Sequence, residues 1–284
     1  MEPIALRLMI ADDLPEADGL RRLIGWNQTL KDWRRFLDFE PDGCFVALKQ
    51  GKVVGTVTTI TYGSELAWIG MMLVHPESRR EGIASRLMAQ AIEYLKAKGI
   101  GCIKLDATPA GKPLYERLGF VSEWRLARWQ STNNRFIGVA PLQTRDLHPQ
   151  DWREVEAIDQ KAFGLARLQL LRSLTEENSR AIVWPADGAV RGWGVLRAGA
   201  NCGYLGPMAS GSAEGVEALT IALLHAADGR SVFWDIPDPN ETAQTIARRF
   251  GFAPVRPLTR MYLGRNAGIS NLGRLFGIAD PALG

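Results

Sequence analysis

The stretch MLVHPESRREGIASRL, residues 72–87, joins the end of a strand to the start of a long helix through a short basic turn. The apolar run 65–74, which leads into it, predicts a strand that is covered on both faces, and Pro76 ends that strand. From Ile83 to Leu95, apolar residues recur every three or four positions, as on the buried face of a helix. The stretch therefore predicts a strand, a turn and a long helix in that order.

The turn itself contains Arg79, Arg80 and Gly82. The first amides of a helix have no partner within the helix and lie at the positive end of its dipole, so this place suits an anion. Glycine lets a phosphate approach the backbone closely. The residues alone thus fit a pyrophosphate-binding turn, and they also fit an ordinary basic connection between a strand and a helix.

Similar patterns predict the elements on both sides of this stretch. Before it we expect a strand at 5–10, two helices and a hairpin at Gln50-Gly51, and after it a strand at 102–107, a helix at 112–119 and a last strand. The polar segment 131–138 predicts a linker.

The second half repeats the same order of elements. AWIGMM (67–72) resembles GYLGPM (203–208), and residues 105–120 resemble residues 234–252 with three residues added. We interpret this as a tandem duplication of one fold, with one domain at 1–132 and the other at 139–284.

Two motifs in the first half resemble those of the GNAT N-acetyltransferases. RREGIA (79–84) resembles the family's R/Q-x-x-G-x-G/A signature, and LYERLGF (114–120) resembles its L-Y-x-x-L-G-F sequence. The resemblance covers about residues 3–130, and the second half looks like the degenerate C-terminal domain of tandem members. It implies an α/β (α+β) fold of two tandem GNAT-like domains, each a mixed, mostly antiparallel central sheet flanked by helices.

The resemblance also implies acetyl-CoA as co-substrate. In this family the sheet splays open after its fourth strand, pantetheine pairs with exposed backbone groups there, and the pyrophosphate sits on the amides of the turn. The cofactor-binding residues implied here are Met72, Leu73, Val74, Arg79, Arg80, Glu81, Gly82, Ile83 and Ala84.

Tyr115 corresponds to the family's general acid, which protonates the leaving thiolate. Its place on a short amphipathic helix also fits a purely packing role. The general base stays open, because residues 67–70 are AWIG where many relatives have a glutamate. Asp106 and Glu65 are the carboxylate candidates, a water chain is a third possibility, and His75 is interpreted as structural.

A corner between the first two predicted helices offers groups for the acceptor. Trp26, Asn27 and Gln28 could hold an amine by stacking and hydrogen bonds, with Trp68 lining the same pocket. The alternative is a structural corner in which Asn27 or Thr29 caps the second helix.

The second half lacks the residues that carry chemistry in the first. Ala247 stands where Tyr115 would be, and the turn at 212–217 has no arginine. We therefore expect this half to wall the acceptor cleft rather than to catalyse. Arg197 and Arg260 either face that cleft or pair at the surface. The tail at 268–284, which contains a short apolar turn around Leu275 and Phe276, docks on the body of the protein.

Composition excludes several other classes of protein. A net charge of +3 over 284 residues does not suggest a nucleic-acid binder. Three scattered cysteines and three scattered histidines predict neither a disulfide framework nor a metal site. No apolar run approaches the ~18 residues of a membrane span, and no signal peptide is recognisable. We expect a cytoplasmic protein, monomer or homodimer.

Together these features predict an enzyme that transfers an acetyl group from acetyl-CoA to a primary amine, most simply that of a small molecule. The alternatives are an acetyltransferase for peptide or protein amino groups and an acyl-CoA-binding sensor without turnover. Tyr115 argues against the sensor, because binding alone needs no acid.

Overall fold

The computed structural model describes residues 3–131, 143–176, 178–268 and 270–284. All of the predicted linker except Ser131 lies outside the described residues.

The first half contains the elements that its patterns predict. Its strands are β1 (Ala5–Leu8), β2 (Phe45–Lys49), β3 (Lys52–Tyr62), β4 (Leu66–Val74), β5 (Cys102–Ala107) and β6 (Val121–Ser131). Its helices are α1 (Leu14–Ile24), α2 (Leu30–Phe39), α3 (Ile83–Ala97) and α4 (Lys112–Arg117). The hairpin at Gln50-Gly51 has both residues at positive φ, 53° and 76°, as a two-residue turn between twisted strands requires.

The second half follows the same order. Its strands are β7 (Arg145–Asp146), β8 (Ser179–Ala186), β9 (Ala189–Arg197), β10 (Gly203–Ser210), β11 (Val232–Pro237), β12 (Ala253–Gly264) and β13 (Leu275–Gly277). Its helices are α5 (Trp152–Phe163), α6 (Leu168–Leu174), α7 (Ala213–Ala226) and α8 (Glu241–Arg249). None of the helices in the described residues is long and apolar enough to cross a membrane.

An ion-paired cap at the start of each half shows the duplication at residue level. Arg7 binds both carboxylate oxygens of Asp13 at 2.6 and 2.7 Å, and Arg145 binds those of Asp151 at 2.6 and 2.9 Å. Each aspartate also accepts a hydrogen bond from the backbone amide three residues earlier. The same device therefore starts the first long helix of both halves.

The two halves share one sheet by exchanging their last long strands. In the described residues the strand order is β1-β2-β3-β4-β5-β12-β6-β11-β10-β9-β8-β7, with β13 against β10. Strand β12 of the second half thus lies between β5 and β6 of the first, and β6 pairs with β11. A strand from the second half therefore borders the region where the sequence places the chemistry.

The tail forms more regular structure than the docked apolar turn that the sequence predicts. Residues Leu275 and Phe276 belong to β13, which pairs antiparallel with β10, and the chain then continues through buried residues to Leu283. This path carries the tail from the second half across to β4.

Candidate active site

The cleft of the first half opens where β4 and β5 separate. These strands are parallel, but their register joins only Leu66–Trp68 to Cys102–Lys104. Beyond Trp68, β4 bulges: Met71 has a φ of 47° and the register against β3 shifts there. Such a bulge bends the strand, and Thr56 Oγ1 supports it by donating to the Met71 carbonyl at 2.7 Å. The edge of β4 that includes Met72, Leu73 and Val74 is therefore not paired with β5.

The turn between β4 and α3 presents unused amides. Arg80 and Gly82 have positive φ, 67° and 78°, and Gly82 is the N-cap of α3 without a side-chain cap. Within the described chain, no hydrogen bond uses the amides of residues 80–84. The equivalent turn of the second half differs, because Ser212 accepts from the amide of Gly215. The first turn thus keeps the donors that an anion would need, and the second uses one of its own.

The charged side chains of the turn divide into two kinds. Arg79 and Arg80 are exposed and make no hydrogen bond or ion pair within the described chain, so both are free to meet phosphate. Glu81 instead accepts from Lys49 Nζ at 2.9 Å with both oxygens. A contribution of Glu81 to the cofactor would therefore come from its amide.

A small cavity of about 40 Å³ lies where the cleft meets the second half. The first half contributes Trp26, Gln28, Met72, Asp106 and Tyr115 to its lining, all named from the sequence. The structure thus brings together residues from each predicted part of the site. They are Met72 from the pantetheine edge, the candidate base Asp106, the candidate acid Tyr115, and the acceptor residues Trp26 and Gln28.

Tyr115 enters this cavity from α4 with a free hydroxyl. Its ring packs edge-on against Phe120, with centroids 6.1 Å apart, and lies over Gly111, where a Cβ would approach it to 3.0 Å. The hydroxyl makes no hydrogen bond within the described chain. Burial raises the pKa of Tyr115 to about 12. The phenol is therefore held in its protonated form on the lining of the cavity.

Asp106 has a partner that the sequence does not reveal. Arg260 of β12 binds both of its oxygens at 2.9 and 2.8 Å, and both side chains are almost fully buried. The Arg260 guanidinium is sandwiched between Trp68 and Trp124, whose ring centroids lie 4.3 and 4.2 Å away. Burial raises the pKa of Asp106, and Arg260 opposes that rise. Arg260 is thus buried, and both oxygens of the candidate base Asp106 are already engaged.

The other predicted site residues lie outside the cavity. Glu65 is exposed at the far end of β4, and His75 Nδ1 accepts from the amide of Glu77, which is a structural role. Trp68 is buried against Arg260, and its Nε1 donates to the Pro281 carbonyl. These three residues therefore do not line the cavity.

Asn27 acts as a link between the halves. Its side chain donates to the Cys202 carbonyl at 3.0 Å and accepts from the amides of Asn201 and Cys202. Thr29 caps α2. Thr29 is thus the helix cap of the structural interpretation, and Asn27 contacts the other half instead of capping. Trp26 and Gln28 line the cavity.

The second half supplies lining residues that sequence reasoning did not identify. They are Arg256 and Leu258 from β12 and Pro281 and Ala282 from the tail. The glycine at position 70 is the sequence feature that permits this close contact with the tail, because a Cβ there would lie 2.5 Å from the Ala282 Cβ. The tail therefore takes the space beside β4 that a side chain at position 70 would fill.

The corresponding cleft of the second half is filled by the protein itself. Strands β10 and β11 pair in parallel only over Gly203–Leu205 and Val232–Trp234. Beyond that point β13 pairs with β10, while Ile278 N donates to the Asp235 carbonyl and Trp234 Nε1 to the Phe276 carbonyl. The backbone edge that is open in β4 is thus occupied in β10.

Comparisons with known proteins agree with this geometry. Residues 10–120 match a family model described as the acetyltransferase (GNAT) family, and residues 155–277 match one described as an acetyltransferase (GNAT) domain. Holothin acyltransferase of Pseudoalteromonas sp. is 26% identical over 244 residues, which cover 84% of this chain and 81% of that protein.

Two solved structures extend the likeness to the whole fold. A protein from Pyrococcus horikoshii described as an acetyltransferase superimposes with a TM-score of 0.85 at 24% identity, over 100% of this chain and 97% of that one. A tandem GNAT protein from the clavulanic acid biosynthesis pathway gives 0.69 at 17% identity, over 92% and 98% of the two chains. At these identities the likeness concerns the fold.

Proposed function

Since the chain belongs to the GNAT acetyltransferase family and has two GNAT domains, we propose that this N-acetyltransferase moves an acetyl group from acetyl-CoA to a primary amine of a small molecule. We assign catalysis to the domain at 1–132 and the supporting role to the domain at 139–284. Strand β12 of the supporting domain walls the catalytic cleft.

The cofactor fits the first half on three features of this structure. The open edge of β4 can pair with pantetheine, the unused amides of residues 80–84 can hold pyrophosphate, and Arg79 and Arg80 are unpaired cations beside them. The bound cofactor would supply the acetyl thioester. In the described part of the second half, β13 occupies the corresponding cleft.

Tyr115 carries the chemical part of this proposal. Tyr115 and Met72 line the same cavity, and the unbonded hydroxyl of Tyr115 can give its proton to the departing thiolate. The small cavity and its wall from the second half favour an acceptor that inserts only a small amine-bearing group. Release of free thiol from acetyl-CoA, measured across a panel of amines, tests this function, and no release with any amine would contradict it.

Neutralising both arginines of the turn should weaken cofactor binding by about tenfold, since an exposed ionic contact contributes roughly 0.2–1 kcal/mol. We expect Arg79→Gln/Arg80→Gln to raise the Kd for CoA in calorimetry, and the difference from the unsubstituted protein should shrink at high salt. Arg34→Gln/Arg153→Gln is the matched control, because both arginines are exposed on other helices. Equal Kd values for the two double variants would indicate that the backbone amides bind the pyrophosphate without help from the two arginines.

The pH dependence of kcat/KM should reflect the pKa of the acceptor amine rather than the pKa of a base on the enzyme. Asp106 is the carboxylate among the lining residues, and Arg260 engages both of its oxygens. We therefore expect kcat/KM to rise about tenfold per pH unit until the pH reaches the pKa of the amine. With a pKa of about 12, Tyr115 keeps its proton, so no decline should appear below about pH 10.5.

Two amines of different pKa make this profile a test. The midpoint of the rise should move with the amine. A midpoint that is the same for both amines would reveal an enzyme base.

A further inference from the structure

Arg256 is a cation in the cavity wall without a partner. A one-residue bulge in β12 at Val255 shifts its register against β6 just before Arg256, and Arg256 and Leu258 beyond the bulge both line the cavity. The side chain of Arg256 makes no ion pair or hydrogen bond within the described chain, and its Nε is buried without an acceptor. Arg256 as a whole is half-buried, and a charge that is partly withdrawn from water is normally paired.

The carboxylates nearest to Arg256 are already engaged. Asp235 is bound by Arg128 at 2.8 and 2.6 Å and by the Tyr204 hydroxyl at 3.0 Å. Asp280 accepts from Gln28 Nε2 at 2.9 and 3.1 Å. Neither aspartate forms an ion pair with Arg256, although the charges of both act to raise its pKa.

Within the described chain, the buried and half-buried charges around Arg256 leave one positive charge in excess. The cluster consists of Arg35, Arg128, Arg197 and Arg256 against Asp32, Asp235 and Asp280. Burial, and then the charge of Arg128, lower the pKa of Arg256, although a guanidinium stays charged. Burial raises the pKa of Asp280, so protonation of that group would only enlarge the excess.

The cofactor does not supply the missing anion. Its phosphates belong at the 80–84 turn, beyond the end of β4, whereas Arg256 borders the cavity beside Tyr115. The acceptor is the other ligand that this cavity would hold, and an anionic group on it would pair with Arg256. Gln28 offers a second unmatched group, because its Nε2 is held by Asp280 while its Oε1 is buried without a donor.

We propose that the acceptor is a primary amine that also carries a carboxylate, and that Arg256 binds this carboxylate while the amine enters the cavity beside Tyr115. The guanidinium matches a planar carboxylate with two parallel hydrogen bonds, and the amine is a donor for Gln28 Oε1. This assignment rests on the proposed acetyl transfer and adds the class of its substrate. The second half thus sets specificity through β12.

The test compares aminocarboxylic acids of two to six carbons with their carboxamides, using thiol release from acetyl-CoA. We expect the unsubstituted enzyme to favour the best acid over its amide by about 10- to 100-fold in kcat/KM, the range of a charged bidentate contact. In Arg256→Gln the two should differ by less than about threefold, with the amide rate retained. Arg256→Lys, which keeps the charge without the fork, should fall between them.

Arg125→Gln is the matched control, since Arg125 is an exposed arginine of the adjacent strand β6 and should leave the preference unchanged. Thermal unfolding of each variant identifies any that fail to fold, and Arg256→Lys then carries the test. Equal rates for acids and amides in the unsubstituted enzyme would overturn this assignment while acetyl transfer stands. An equal loss for both acceptors in Arg256→Gln would also overturn it, and no turnover of any amine would instead contradict the proposed function.

Discussion

Turnover should fall by about two to four orders of magnitude when Tyr115 is replaced by phenylalanine, the range that a general acid contributes. Affinity for acetyl-CoA should change by less than about twofold, because the hydroxyl makes no hydrogen bond that the substitution would break. The ring would keep its contacts with Phe120 and Gly111. The variant therefore removes a proton donor and little else.

Kinetics and binding must be measured on the same variant to separate the two roles of this side chain. A packing role would lower the melting temperature and disturb CoA binding, whereas the acid role lowers kcat alone. Tyr94→Phe is the matched control. Tyr94 lies on α3 outside the cavity, and its hydroxyl donates a hydrogen bond to Glu40. Turnover of Tyr115→Phe within about threefold of the unsubstituted enzyme would end the acid assignment.

The sequence predicts those parts of the site that depend on local signals. The strand, turn and helix of residues 65–95 follow from apolar spacing, Pro76 and Gly82, and the structure contains β4, the turn and α3 in those places. The candidate acid Tyr115 is predicted from a motif within one helix and the turn that follows it. These features need only a few neighbouring residues, so one sequence is sufficient to predict them.

The rest of the site depends on contacts between residues far apart in the chain. Nothing near Asp106 in the sequence announces that Arg260, 154 positions later, will bind it. Strand patterns predict that β12 exists as a repeat of β6, but both copies carry the same periodicity, and the exchange between the halves leaves no local trace. The sequence therefore does not predict that Arg256 lines the cavity.

Asn27 is a residue for which the sequence leaves two roles open, for the same reason. An exposed-looking amide between two predicted helices suits a ligand as well as it suits a partner loop. The loop at 201–202, which takes its hydrogen bonds, lies about 175 residues away. The residue types at this corner do not distinguish binding of a ligand from binding of a distant loop. The neighbouring Gln28 has a side-chain oxygen without a donor.

Breaking the Asp106–Arg260 pair should cost about 3–5 kcal/mol of unfolding free energy, because removing one partner leaves a buried charge alone. Arg260→Met keeps much of the volume between Trp68 and Trp124 but strands the carboxylate of Asp106, whose side chain is 0% exposed. Urea unfolding measures the loss. Arg249→Gln provides the matched control: Arg249 binds Glu217 at 2.9 Å with both nitrogens, yet the pair is exposed, so about 0–1 kcal/mol is expected.

Two further measurements distinguish a stranded charge from lost packing in Arg260→Met. Without the guanidinium, burial and then the charges of Asp235 and Glu123 raise the pKa of Asp106 in the folded state above the unfolded value. A carboxyl group with a raised folded pKa loses stability as the pH rises above its unfolded pKa of about 3.9, so the deficit of Arg260→Met should be smaller at pH 5 than at pH 8. Asp106→Val/Arg260→Met removes both charges and should recover most of the loss. A deficit that is independent of pH and persists in the double variant would assign the cost to packing between the two tryptophans, and the ion pair would then not be what secures β12 against β5.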